Sequence, residues 1–245
     1  MKKLILSLLA GISASTSVAT LAADSSLAFN AAVTSDYRYR GITQTRFDPA
    51  VQGGVDYTHG SGFYVGAWAS TIKWIDDAGG NADVELDIYA GTRGNLTEAL
   101  SYDVGVITYV YPDNNMDAVS GFDDANTTEI YGQLGYGVAY LKYSHALTNL
   151  FGFVDSENSN YIDAGANIAL NKTLTLNLHA GHQEVENNSL ASYDDWKIGL
   201  TNDFGFCTLS LAYIDTNADE VAYASPANGK FMGKETVVAT LSKVF

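Results

Sequence analysis

Apolar and polar side chains alternate with a period of two along most of the sequence. Leu174, Leu176 and Leu178, for example, alternate with Asn177 and His179. Successive side chains of a β-strand point to opposite faces, whereas a helix would scatter these residues around its axis. The alternation predicts twelve strands, at residues 27–35, 50–58, 63–71, 82–93, 100–111, 126–136, 138–147, 160–170, 173–186, 193–204, 206–216 and 234–245.

The connections between these strands alternate between long and short. The loop at 36–49 is followed by a tight turn at 59–62, and the loop at 112–125 is followed by a minimal turn at Gly137. Outer-membrane barrels have long extracellular loops and short periplasmic turns, and their strands need about ten residues. We therefore expect an all-β chain that forms a transmembrane, antiparallel up-and-down β-barrel of about twelve strands, with both termini on the periplasmic side.

The N-terminus has the features of a secretory signal peptide. Two lysines precede a short apolar run at 4–14, and small residues lead to a cleavage site after Ala22. The apolar run is too short to cross a bilayer as a helix, which argues against a membrane anchor. We expect residues 1–22 to be removed and residues 23–245 to pass through the periplasm and form a barrel in the outer membrane.

Aromatic residues gather at both ends of the predicted strands. Tyr57 and Tyr102 lie at the turn side, Trp74 and Tyr161 lie at the loop side, and Phe245 ends the chain. Two girdles of amphipathic rings are expected where a barrel meets the two membrane interfaces. A terminal aromatic residue is common in proteins inserted by the outer-membrane assembly machinery. We therefore expect the partners to be outer-membrane lipid, lipopolysaccharide and that machinery.

The sequence is strongly acidic, with 28 Asp and Glu against 13 Lys and Arg. This charge argues against nucleic acid as a partner, because phosphates require a basic surface. Cys207 is the only cysteine, so no disulfide can form within the chain.

The polar face of the predicted strands should line the inside of the barrel. Three basic residues, Arg93, Lys142 and Lys197, are on that face. Eight acidic residues share it: Asp56, Glu85, Asp87, Asp103, Glu129, Asp163, Asp195 and Asp203. Carboxylates in a pore favour cations, and twelve strands lie between the filled lumen of eight and the open channel of sixteen. We expect a narrow channel for passive diffusion of small solutes or ions, with a preference for cations.

The segment Asp36–Gly41 is the densest mixture of basic and aromatic residues in the chain. If the first strand continues outward, Arg38 and Arg40 project to one face and Tyr37 and Tyr39 to the other. One interpretation places both arginines at the pore mouth or in a constriction. The alternative is that they pair with neighbouring acidic loops or with lipid phosphate.

No motif in the sequence indicates catalysis, a bound metal or a cofactor, and we do not expect an enzyme. His179 and His182 are an odd number of residues apart on one strand, so they point to opposite faces. The acidic loop at 113–124 has calcium-loop spacing, but Ala118 stands where such a loop needs glycine. Two other classes stay open: a non-conducting barrel whose loops contact lipopolysaccharide or a partner, and a membrane-embedded hydrolase.

Six segments carry a resemblance to a known family. They are Ser35–Thr45 (SDYRYRGITQT), Pro49–Ser70 (PAVQGGVDYTHGSGFYVGAWAS), Tyr102–Pro112 (YDVGVITYVYP), Asn126–Gly137 (NTTEIYGQLGYG), Asp195–Gly205 (DWKIGLTNDFG) and Ala212–Asp219 (AYIDTNAD). In their order and spacing, the chain after the signal peptide resembles the TorF family of porins. The resemblance implies an outer-membrane β-barrel and, more loosely, a pore. It supplies neither a substrate nor catalytic residues.

Overall fold

The computed structural model describes residues 25–245, and the predicted signal peptide at 1–22 lies outside them. The strands are β1 (Ser26–Thr34), β2 (Arg38–Tyr39), β3 (Ile42–Thr43), β4 (Ala50–Thr58), β5 (Phe63–Thr71), β6 (Val84–Asn95), β7 (Leu100–Val110), β8 (Thr127–Tyr136), β9 (Ala139–Ala146), β10 (Asn160–Ala169), β11 (Leu174–Glu184), β12 (Tyr193–Asp203), β13 (Thr208–Thr216) and β14 (Thr236–Val244). Twelve of them form one closed antiparallel barrel, in which β1 pairs with both β4 and β14. The predicted barrel of twelve strands is therefore confirmed. The short strands β2 and β3 pair with each other, outside the barrel sheet.

The two faces of the barrel wall have opposite chemistry. Large apolar side chains such as Val51, Ile198 and Leu200 are exposed on the outer face, whereas Gln52 and Thr201 are buried on the inner face. A soluble protein of this size would bury most of its large apolar residues instead. The apolar exterior and polar interior are the arrangement of a barrel that is surrounded by lipid.

Tyrosines inside the barrel lie across glycines of neighbouring strands. At Gly66 of β5 a Cβ atom would come within 2.5 Å of the Tyr89 ring of β6, and at Gly165 of β10 it would come within 2.5 Å of the Tyr140 hydroxyl. Any side chain at these two positions would displace the ring. These glycines therefore let large polar-tipped rings lie flat against the inner wall of a narrow barrel.

The connections contain structure that the alternation did not predict. The long loop between β5 and β6 includes a short helix, α1 (Trp74–Ala78), and 3₁₀ turns occur at Met116–Ala118 and Ser189–Ala191. Ile75 of α1 and Met116 are fully buried in an apolar cluster at the loop side of the barrel. Within residues 25–245, no helix is long and apolar enough to cross a membrane.

Candidate functional site in the barrel lumen

The chain between β1 and β4 folds into the barrel rather than continuing outward. Residues 36–45 form a β-hairpin, which we call the lumen hairpin, with a two-residue turn at Arg40 and Gly41. Both turn residues have positive φ, of 46° and 82°, as the tight turns of β-hairpins require. Asp36 closes the base of the hairpin by accepting hydrogen bonds from Arg38 Nε, at 2.6 Å, and from the Thr43 hydroxyl.

Arg40, at the tip of the lumen hairpin, reaches two parts of the barrel wall. Its Nη2 atom lies 2.7 Å from Glu129 Oε2 of β8, and its Nη1 atom donates to Gln183 Oε1 of β11 at 2.6 Å. The guanidinium also lies over the ring of Tyr161, 4.3 Å from its centroid. Burial disfavours the charged form of Arg40, but Glu129 outweighs this effect and raises the pKa of Arg40 above its ordinary value. The guanidinium is therefore always positively charged, and it bonds to both β8 and β11 inside the lumen.

Hydrogen bonds of Tyr37, Tyr39 and Arg38 also hold the lumen hairpin in place. The Tyr37 hydroxyl donates to Glu85 Oε1 at 2.7 Å, and burial raises the pKa of Tyr37, so it stays a donor. The Tyr39 hydroxyl lies 2.7 Å from the Tyr109 hydroxyl of β7. Arg38 Nη2 donates to the carbonyl of Lys234, and Nη1 donates to the carbonyls of Gly41 and Met232. The hairpin is thus bonded to β6, β7, β8, β11 and the last long loop.

The first strand does not continue outward, so Arg38 and Arg40 do not project together to one face. The left-handed conformations of Arg40 and Gly41 reverse the chain, so the two arginines have separate partners. Pairing with acidic groups was the alternative expectation, but those groups are Asp36 of the hairpin itself and Glu129 of the barrel wall. Neither arginine is offered to lipid phosphate, because their side chains are 3% and 7% exposed.

One side of the lumen, formed by β4 to β7, carries acids that are bonded to tyrosines. Tyr89 donates to Asp56 at 2.6 Å, and Tyr64 donates to Asp103 at 2.5 Å. Asp87 of β6 is 1% exposed, and among the described residues neither of its carboxylate oxygens has a hydrogen-bond partner. This side of the lumen, which we call the acidic wall, therefore includes one buried carboxylate without a matched donor.

The opposite side of the lumen carries a histidine between two acids. His179 of β11 has Nδ1 at 2.9 Å from Asp163 of β10 and Nε2 at 2.8 Å from Asp195 of β12. The Tyr161 hydroxyl also donates to Asp195, at 2.7 Å. Sequence reasoning considered His179 only as a metal ligand together with His182 and did not place it between these acids, although the registers of β11 with β10 and β12 contain the signal. Asp163 and Asp195 both pair in register with Gly181, two residues from His179 on the same face.

Three other inward-facing charged residues each have a close neighbour within the protein. Lys142 lies 4.2 Å from the centroid of the Tyr131 ring, and Arg93 Nη2 donates to Thr58 Oγ1 at 3.1 Å. Asp203 accepts from the backbone N–H of Gly205 at 2.7 Å, so it stabilises the turn after β12. Within residues 25–245, no group of three or more His, Cys, Asp and Glu side chains is placed to hold a metal ion.

The lumen hairpin lies between two cavities. The strand-side cavity, of about 120 Å³, is lined by wall residues that include Asp163, His179 and Lys197. The loop-side cavity, of about 370 Å³, is lined by loop residues that include Trp74 and Tyr223. Residues of the hairpin line both cavities. The hairpin therefore narrows the passage from the loop side of the barrel to its interior.

The chain forms a closed twelve-stranded barrel with a polar lumen, and solved structures include similar folds. A structure described as "KdgM porin" superposes with a TM-score of 0.55 at 6% sequence identity, over 91% of this chain and 98% of that chain. A structure described as "NanC porin structure in rhombohedral crystal form" superposes with a TM-score of 0.55 at 11% identity, over 89% and 98%. At these identities the similarity concerns the fold alone. No curated protein matches the sequence.

The family is shown by the sequence itself. The model of a family described as "Bacterial protein of unknown function (Gcw_chp)" matches residues 18–245, which is most of the chain. The protein belongs to this family.

Proposed function

We propose that the protein is an outer-membrane channel that lets small solutes or ions diffuse through a narrow lumen, with a preference for cations. The observation that carries the proposal is the closed barrel with an apolar exterior and a charged interior. Only a surrounding bilayer makes such an exterior favourable. Resemblance to the TorF family of porins supports the same role, and the proposal includes no catalytic activity.

The charge balance of the lumen supports the cation preference. With Arg38, Arg40 and Asp36 of the hairpin included, nine inward-facing carboxylates stand against five Lys and Arg side chains. His179 donates from both ring nitrogens to carboxylates and adds a sixth positive charge, so the net charge of these groups is −3. A low-dielectric wall concentrates the field of such charges along a channel. At physiological salt the Debye length is about 8 Å, so the preference should be moderate and should increase at low ionic strength.

The proposal includes a route to the membrane and partners there. Residues 1–22 would act as a cleaved signal peptide, and Phe245 would be recognised by the outer-membrane assembly machinery. Outer-membrane lipid would cover the apolar exterior, and lipopolysaccharide would contact the loop side. Mass spectrometry of the protein purified from outer membranes should find an N-terminus at Ala23 or Asp24. An uncleaved N-terminus would contradict this route.

Single-channel recording in a planar bilayer tests the function. The purified protein should conduct in KCl. Under a KCl gradient its reversal potential should have the same sign as the equilibrium potential of potassium. An anion-selective reversal potential would contradict the cation preference. A complete absence of conductance would favour a second candidate, a structural barrel, for which the hydrogen-bonded hairpin across the lumen is the specific support.

A further inference from the structure

The loop-side cavity has the size and lining of a site for a small organic ligand. Its volume of about 370 Å³ lies within the range of ligand pockets, which are mostly apolar with few polar groups. Its walls contain several aromatic side chains, among them Tyr39, Trp74, Phe151, Phe153 and Tyr223. Several of these rings already meet edge to face, with Tyr39 and Phe151 at 5.4 Å between centroids. A flat ring inserted among them would find the edge-to-face geometry that aromatic pairs prefer.

Most polar groups that line this cavity already form hydrogen bonds within the protein. The Gln183 amide bonds to Arg40 and to the carbonyls of Asn160 and Glu184. The Tyr223 hydroxyl donates to a backbone carbonyl. A solute with many hydroxyls, such as a sugar, would lose water on binding and would find few partners in return, which is unfavourable. The lining therefore favours a ligand that is mainly apolar.

The hydrogen-bonding capacity that remains is of the donor type. Among the described residues, Trp74 Nε1 is buried without an acceptor, although the side chain lines the cavity. Arg46 also lines the cavity and is bonded to Asp77 through Nη1, while its side chain is 29% exposed. Arg40 also lines the cavity, but its charge is paired with Glu129 of the barrel wall. Trp74 Nε1 and the partly exposed Arg46 guanidinium are donors, and a charged acceptor oxygen forms the strongest hydrogen bonds with such donors.

We infer that the loop-side cavity binds a small aromatic carboxylate. The ring lies among the aromatic side chains, and the carboxylate accepts from Trp74 Nε1 and from Arg46. This site does not depend on conduction, because it lies on the loop side of the lumen hairpin. Occupation of the cavity is therefore tested by binding and not by transport.

Isothermal titration calorimetry on the detergent-solubilised barrel tests the inference, with benzoate as the probe. Benzoate should bind more tightly than benzyl alcohol, which lacks the charge, and than acetate, which lacks the ring. Glucose should show no saturable heat. Trp74→Phe keeps a ring but removes the N–H donor, so it should weaken benzoate binding about tenfold, in line with the loss of one hydrogen bond to a charged group. Trp196→Phe is the matched control, because Trp196 lies on the outer face of β12.

A second variant keeps the test decisive if Trp74→Phe does not fold. Arg46→Gln removes the charge at an exposed edge of the cavity, so it should weaken benzoate and leave benzyl alcohol unchanged. Heat-modifiable migration on gels confirms that each variant is a folded barrel. The inference is overturned if benzoate shows no saturable binding. It is also overturned if glucose binds as tightly as benzoate, or if both cavity variants bind benzoate like the Trp196→Phe control.

Discussion

Replacing Arg40 by glutamine should release the lumen hairpin from the barrel wall. In the ion pair of Arg40 with Glu129 the two side chains are 7% and 1% exposed. Removing one partner of such a buried pair costs about 3–5 kcal/mol, because the other charge is left without compensation. Since 1.4 kcal/mol is a factor of ten, the equilibrium between docked and undocked hairpin should shift on the order of a hundred- to a thousand-fold toward undocked.

Single-channel recording measures this shift. Arg40→Gln should open to a larger conductance level more often than the unmodified protein, and its cation preference should increase because the lumen loses a positive charge. Lys73→Gln is the matched control, since it also removes one positive charge from an ion pair, but the pair of Lys73 with Asp48 is exposed and lies outside the lining of both cavities. If Arg40→Gln has the conductance and selectivity of Lys73→Gln, the hairpin does not limit the passage.

Three further predictions concern the hairpin turn, the lipid face and the topology. Gly41→Val should also increase the larger openings, because a Cβ at this position would lie 2.8 Å from Asp195 Cβ in a backbone conformation that disfavours valine. In urea unfolding from lipid vesicles, Leu200→Lys on the outer face should lower the free energy of unfolding by about 2–4 kcal/mol. Ser210→Lys in the strand-side cavity should lower it much less, and equal losses would contradict the orientation of the wall. An epitope tag at Gly121 should be labelled on intact cells and a tag at Asn171 should not, and labelling at Asn171 would reverse the assigned direction.

The barrel was predictable because lipid and lumen impose opposite demands on alternate residues. The predicted strands at 50–58 and 63–71 coincide with β4 and β5, and the other barrel strands differ by a few residues at their ends. Period-two alternation persists only where both faces of a strand have fixed surroundings. The loops have no such constraint, so helix α1 left no periodic signal in its five residues.

The lumen hairpin was missed because its alternation is compatible with two structures. Tyr37 to Arg40 alternate in the same way in a strand that continues outward and in a strand that turns after two residues. Gly41 was the one local clue, but hairpin turns of this type usually begin with asparagine, aspartate or glycine rather than arginine. The ion pair of Arg40 with Glu129 joins residues 89 positions apart. Contacts across a lumen follow from how far the hairpin enters the barrel, which no sequence spacing determines.

Ion selectivity should depend on where each charge lies relative to the open volume of the lumen. Lys197 lines the strand-side cavity, whereas Asp87 lies on the acidic wall and, within the described part of the chain, outside the lining of both cavities. Screening weakens a charge over about 8 Å at physiological salt, so the nearer group acts more strongly on a passing ion. Under a KCl gradient, Lys197→Gln should therefore move the reversal potential toward the equilibrium potential of potassium. Asp87→Asn should move it in the opposite direction, by a smaller amount. Shifts of equal size would mean that the net charge of the lumen alone sets the preference, and a larger effect of Asp87→Asn would place the ion path along the acidic wall.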